Sequence, residues 1–267
     1  MTTLAYTVRD SRTMLRRNVR RMLRYPSLTA MVIGIPVVLL LLFVFVFGGT
    51  LGAGIDAAPG GGRTEYANYV VPGILLMTLA GAVQGTAISI SMDMTEGIVA
   101  RFRTMAISRA AVLTGHVIGS VIQSAIGVVV VLAVAFAIGF RPTAGPLEWL
   151  GAVAVLLMAA LALIWLAVAL GLKAKSVETA SNTPMFLILL PFLGSGFVPT
   201  DSMPVALALF AEYQPFTPII ETLRGLLRGT PIGASGVLAV VWCVVIAGGG
   251  YLWSRRLYER ASVRPRA

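Results

Sequence analysis

SLTAMVIGIPVVLLLLFVFVF, residues 27–47, is a run without one charged side chain, and its reading decides the fold. A helix rises about 1.5 Å per residue, so such a run reaches across the roughly 30 Å hydrocarbon core of a bilayer. Pro36 marks a kink within it. The arginine-rich start before it is reminiscent of a secretory signal, but the apolar run is too long for one and reads as a retained first span. The whole chain supports a bilayer as solvent: 57% of its 267 residues are hydrophobic, 12% are charged, and mean hydropathy is +0.88.

Upstream, Leu4, Val8, Leu15, Val19 and Met22 recur at helical spacing, with Arg9, Arg16, Arg17, Arg20 and Arg24 on the other side. This predicts an amphipathic interfacial helix facing lipid headgroups or an acidic partner, broken by Pro26. Downstream, glycine-rich residues 48–63 read as a loop, and further spans are expected at 66–92, 115–140, 148–172, 179–198 and 235–253. Between the last two spans, residues 199–234 predict two helices too short to cross. Ser202 and Pro204 start one, Thr217 and Pro218 the other, and Gly229 ends the second; both read as re-entrant or interfacial.

Counting Lys and Arg orients these spans. Seventeen of the 21 fall in the segments 4–25, 93–114, 173–178 and the tail, against Arg63, Arg141, Arg224 and Arg228 on the other side. Basic residues are retained in the cytoplasm, so both termini are expected there and the number of spans is even. The expected architecture is an all-α polytopic membrane protein of six transmembrane helices. It comprises a cytoplasmic amphipathic helix (1–26), a six-helix domain (27–253) and a basic cytoplasmic tail (254–267).

Several chemistries are disfavoured. The arginines carry no base-stacking motif, which argues against nucleic acid despite the net charge of +10. Cys243 is the only cysteine, so no internal disulfide or cysteine-based metal cage is available. The sequence holds no G-x-x-x-x-G-K-[ST] loop for nucleotide phosphates, and no expected span has a charge near its middle for ion coupling. Gly233-Ala234-Ser235-Gly236 resembles the serine motif of rhomboid proteases, but His116, the sole histidine, is expected at the opposite membrane face from Ser235.

The informative loop is D-M-T-E-G-I-V-A-R-F-R-T-M-A-I-S-R, residues 93–109. Asp93 with Glu96 has the spacing of a capping box, and Ile98, Val99, Phe102, Met105 and Ala106 share a helical face flanked by Arg101 and Arg103. An apolar stripe of this kind suits docking into a partner's groove.

This loop resembles the cytoplasmic loop of ABC-2 type permeases, particularly the daunorubicin- and oleandomycin-resistance branch. Ser195-Gly196-Phe197-Val198-Pro199, Met203-Pro204, Ala211-Glu212-Tyr213-Gln214-Pro215-Phe216-Thr217-Pro218 and Leu223-Arg224 are similar to that family's segment between its last two spans. The resemblance covers essentially the whole chain. It implies a half-transporter of the bacterial cytoplasmic membrane: two permease subunits, identical or close paralogues, pair with two separate ATPase subunits that hold ATP and magnesium. It further implies that Glu96, Gly97, Arg101, Phe102, Arg103 and Arg109 make or support the ATPase contact. Thr78, Gln84, Thr86, Ser89, Asn182, Thr183, Phe186 and Ser195 would line a substrate path. Phe197, Pro199, Pro204, Tyr213, Pro215, Pro218 and Arg224 would form an outer gate. The cargo expected is a hydrophobic or amphipathic drug, antibiotic or lipid; a lipid-linked glycan precursor is the alternative within transport, and a membrane scaffold or intramembrane enzyme the alternative outside it.

Overall fold

The structure, a computed structural model, describes residues 26–55, 62–95 and 109–261, with the backbone alone at 26–32, 53–55, 109–115 and 259–261. The helix expected at 4–25 and the stripe at 96–108 lie outside the described residues. Those described form helices and turns, with no strand among them. Among the described residues, five stretches are long and apolar enough to cross a membrane: Ile33–Gly52, Gly62–Thr95, His116–Ala137, Pro146–Lys173 and Gly233–Tyr258.

The first comprises α1 (Pro26–Leu42), a π-helical turn (Phe43–Phe47) and α2 (Gly48–Ile55). The loop expected at 48–63 is therefore helical to Ile55 and again from Gly62. Glycine is tolerated here because it removes side-chain bulk where backbones meet: a Cβ on Gly52 would collide with the carbonyl of Gly62. α3 (Gly62–Thr95) lies at the centre of the bundle, with α1, α2, α4 (Arg109–Ala137) and α5 (Pro146–Lys173) packed round it. Tyr66, Val70, Ile74, Leu76 and Val83 of α3 are fully buried. Pro146 opens α5 at a position where a missing N–H costs nothing, and the Glu148 carboxylate accepts from the N–H of Gly145 at 2.5 Å.

The segment expected as a fifth span is discontinuous. It consists of α6 (Val177–Asn182), α7 (Met185–Leu189) and a series of turns to Val198. Pro184 and Pro191 each remove a backbone donor, and Gly194 and Gly196 supply backbone without bulk, so an apolar run of spanning length does not hold one helix. After a 3₁₀ turn (Thr200–Ser202) come α8 (Val205–Tyr213) and α9 (Phe216–Arg228). Pro204 and Pro215 occupy the N-cap positions, so the Thr217 and Pro218 expected to start the second helix lie inside it. Gly229 closes α9 in the left-handed region at φ 64°. α9 buries Phe216, Ile219, Ile220, Leu223 and Leu227 among α3, α5 and α10 (Gly233–Ala261), whereas α8 leaves Val205, Leu209 and Tyr213 exposed.

α10 lies against α5 along a close seam. A Cβ on Gly250 would sit 2.8 Å from the backbone N of Leu166 and 2.8 Å from the carbonyl carbon of Trp165, and Trp165 meets Tyr251 edge-on at 5.0 Å. Gly250→Val is therefore expected to destabilise the protein by about 1–3 kcal/mol through overpacking, read as a lower unfolding midpoint in detergent. Gly249→Ala is the control, since its Cβ meets nothing within 4 Å.

Candidate functional site

The broken segment runs antiparallel to α3, held by side chains that take up its freed carbonyls. Irregular backbone that is shut away from water needs such partners. Gln84 Nε2 donates to the carbonyl of Ser181 at 2.9 Å and lies 3.2 Å from its hydroxyl. Gln214 Nε2 donates to the carbonyl of Leu190 at 3.1 Å, Arg224 Nη2 to that of Ser195 at 2.6 Å, and the Tyr66 hydroxyl to that of Phe197 at 3.3 Å. Midway, a Cβ on Gly73 would lie 2.6 Å from the carbonyl oxygen of Gly196.

Arg224 is the most connected of these groups. Only 7% exposed, it donates from Nη1 to Glu221 at 2.5 Å and from Nε and Nη2 to the carbonyl of Tyr69 at 3.4 and 3.3 Å. Its guanidinium lies 3.7 Å from the centre of the Tyr69 ring. A planar fork serves carbonyls on two elements at once, which a lysine ammonium does less well. Nearby, Arg228 pairs with Glu65 at 2.7 Å, and an open pocket of about 380 Å³ is lined by Tyr69, Pro199, Thr200, Asp201, Glu221, Arg224 and Arg228. Arg141 donates its backbone N–H to Asn68, and Arg63 lies over the Phe45 ring, so the four arginines counted apart from the others gather at one end of the bundle.

The gate candidates divide. Phe197 is buried, stacked on Phe192 at 4.4 Å and against Phe43 of the π-helical turn at 4.5 Å. Pro199 and Pro204 flank the 3₁₀ turn, Pro215 caps α9, Pro218 is buried within it, and Tyr213 projects outward. The path candidates divide too. Thr78 and Thr86 are buried between helices and back-bond to the carbonyls of Ile74 and Ala82; Thr86 also meets Ser120 of α4 at 2.8 Å. Ser89 is half-buried on the same helix. Ser195 is buried with its hydroxyl unpartnered, while Asn182, Thr183 and Phe186 lie on the exposed side of the broken segment. Of the ATPase-contact candidates, Glu96, Gly97, Arg101, Phe102 and Arg103 lie outside the described residues, and Arg109 is the first residue of α4.

Three side-chain arrangements escaped sequence reasoning. Gln214 and Thr217 form a buried polar knot, 3.1 Å apart, beneath Gly194. Phe43 and Phe192 complete the aromatic cluster around Phe197. Asp93 lies within α3, which continues to Thr95, and its carboxylate is buried against His116 Nε2 at 3.0 Å; the capping box expected with Glu96 falls on residues outside those described.

Residues 9–227 match the profile of the ABC-2 type transporter family. The chain belongs to that family. Over 196 residues this ABC-2 chain is 27% identical to a daunorubicin resistance ABC transporter permease protein of Streptomyces coeruleorubidus, covering 73% of this chain and 66% of the relative. Over 179 residues it is 25% identical to a probable doxorubicin resistance ABC transporter permease protein of Mycobacterium tuberculosis, covering 64% and 65%. It thus spans about two thirds of the length of these relatives. With its long apolar helices, this ABC-2 protein is a multi-pass protein of the bacterial plasma membrane.

Proposed function

We propose that this chain is the membrane-spanning permease subunit of an ATP-binding-cassette exporter, moving a hydrophobic or amphipathic substrate outward while a separate ATPase subunit supplies the energy. Family membership supports the class, and the names of the relatives support a drug or antibiotic as cargo. The carrying observation is the discontinuous segment clamped along α3. Discontinuous helices in transporters line substrate sites, because breaking the helix frees backbone groups that only a protein-lined cavity can tolerate.

The same segment supports six crossings. Its contacts run from Gln84 back to Tyr66, and that length of α3 rises about 27 Å, close to the thickness of the hydrocarbon core. Six crossings place both termini on one side, with the basic segments, in the cytoplasm. The end bearing Arg63, Arg141, Arg224 and Arg228 then faces outward, and the pocket beside Arg224 and the aromatic cluster at Phe197 lie at the outer gate. Residues 96–108 form the cytoplasmic tip between α3 and α4, where Phe102 and its neighbours dock on the ATPase. ATP-driven closure of two ATPase subunits pushes the tips of two permease copies and rocks the bundle between inward- and outward-open states.

The test is copurification of the ATP-binding subunit with the tagged chain, followed by transport in reconstituted vesicles. Phe102→Ala and Arg101→Ala are expected to insert normally yet lose transport by about tenfold, the equivalent of roughly 1.4 kcal/mol of docking energy. Wild-type transport and ATPase stimulation in both variants would overturn the docking assignment.

A further inference from the structure

We infer that Asp93 and His116 form a positioning clasp that joins α3 to α4, so that a push on residues 96–108 moves the two helices as one body. The inference rests on the permease reading above and adds the residues through which the push is transmitted.

Three observations carry it. First, the pair is an unexpected use of charge. Asp93 is 2% exposed and sits in the last turn of α3, where the helix dipole disfavours a carboxylate. A buried carboxylate is costly to desolvate unless it is well partnered, and an apolar residue at that position would seal the seam more cheaply. His116 supplies a partner at 3.0 Å; because a carboxylate only accepts, the imidazole Nε2 carries the proton in this contact.

Second, the pair is the end station of a regular seam. Thr86 meets Ser120 two turns further along α3, and a Cβ on Gly127 would touch the Thr78 methyl at 3.0 Å two turns beyond that. Ser124, between these stations, returns its hydroxyl to the carbonyl of Ser120. Contacts at each second turn, from 93 with 116 to 78 with 127, fix the register of two antiparallel helices along nearly half of each. Of these stations, only the one nearest the tip includes a carboxylate.

Third, α3 is the helix that carries Gln84, Gly73 and Tyr66 against the broken segment, so a motion passed to α3 through the pair reaches that segment.

The clasp is tested in proteoliposomes containing the chain with its copurified ATPase. Asp93→Asn, His116→Ala and the exchange Asp93→His with His116→Asp are compared for ATPase capture, ATP hydrolysis and substrate moved per ATP. Each single variant is expected to capture the ATPase as the wild type does and to lose about tenfold in transport per ATP, a usual size for a coupling effect. The exchange is expected to recover most of that loss. A packing role alone lowers yield, hydrolysis and transport together and leaves their ratio unchanged; that result, or wild-type transport per ATP in both single variants, overturns the clasp. Failure of the wild type to capture any ATPase instead overturns the permease reading, and the clasp with it. A second measurement needs no transport: spin labels at Thr95→Cys and Ile118→Cys, in a Cys243→Ala background, report the α3–α4 distance. One narrow distance, unchanged when ATP is added, is expected. A shift of several Å on adding ATP overturns the one-body motion even where the single variants misfold.

Discussion

Arg224→Met is expected to lower the stability of the protein by roughly 2–4 kcal/mol, seen as a fall of several degrees in the unfolding midpoint in detergent. The estimate has two parts. The buried carbonyl of Ser195 loses its donor at 2.6 Å, and an unsatisfied buried polar group costs about 1–3 kcal/mol. Stacking of the guanidinium on Tyr69 at 3.7 Å is worth a further 0.5–2 kcal/mol or so. Glu221 adds little, because its side chain is 37% exposed and regains water once its partner is gone. Glu221→Gln is accordingly expected to shift the midpoint by less than a third as much. Arg224→Lys should recover less than half of the loss, since a single ammonium cannot serve the carbonyls of Tyr69 and Ser195 while lying flat on a ring. Equal midpoints for Arg224→Met and the wild type would show that the broken segment is held at this end without Arg224.

The long helices were legible because their signal is local. Apolar runs at 66–92 and 148–172 anticipate α3 and α5 to within a few residues, since a run that must bury its backbone bonds among lipid or other helices has no alternative to helix. Where the reading failed, the deciding contact is remote. Glycines at 48–55 signal a loop in water, but here they let the helix end approach the start of α3. Apolarity at 179–198 does not give the continuity of the segment; Pro184 and Pro191 were visible, but the groups that make a break affordable, Gln84, Gln214, Arg224 and Tyr66, come from other parts of the chain. The contact of Asp93 with His116, 23 positions away, is remote in the same way and leaves no local pattern in the sequence. The gate candidates drawn from the family resemblance include Arg224 and Phe197, but the reason for those residue types, a carbonyl to satisfy and an aromatic cluster to complete, emerges only from the packing.

The close approach at Gly73 gives a second large effect, on the same broken segment. Gly73→Leu is expected to yield no stably folded protein, and Gly73→Ala to cost about 1–3 kcal/mol, the scale of overpacking in a closed site. The obstacle is backbone: the added Cβ would lie 2.6 Å from the oxygen of Gly196 and 2.8 Å from its Cα, so no rotamer change relieves it. Relief on the opposite side is blocked, because a Cβ on Gly196 would already stand 2.6 Å from the carbonyl oxygen of Pro191, which shows how tightly this turn is wound. The strain must therefore lift residues 194–197 away from α3, loosening the Tyr66 contact with Phe197 and the Arg224 contact with Ser195 together. That displacement is measurable apart from stability. In a Cys243→Ala background, a Ser195→Cys thiol is expected to resist a membrane-impermeant maleimide, since the position is 2% exposed, and to react once Gly73→Ala is added. An unreactive thiol together with an unchanged unfolding midpoint would mean that the segment is not seated on Gly73. A reactive thiol would identify this contact as the outer seal, with Gly73 the point on α3 against which the broken segment closes.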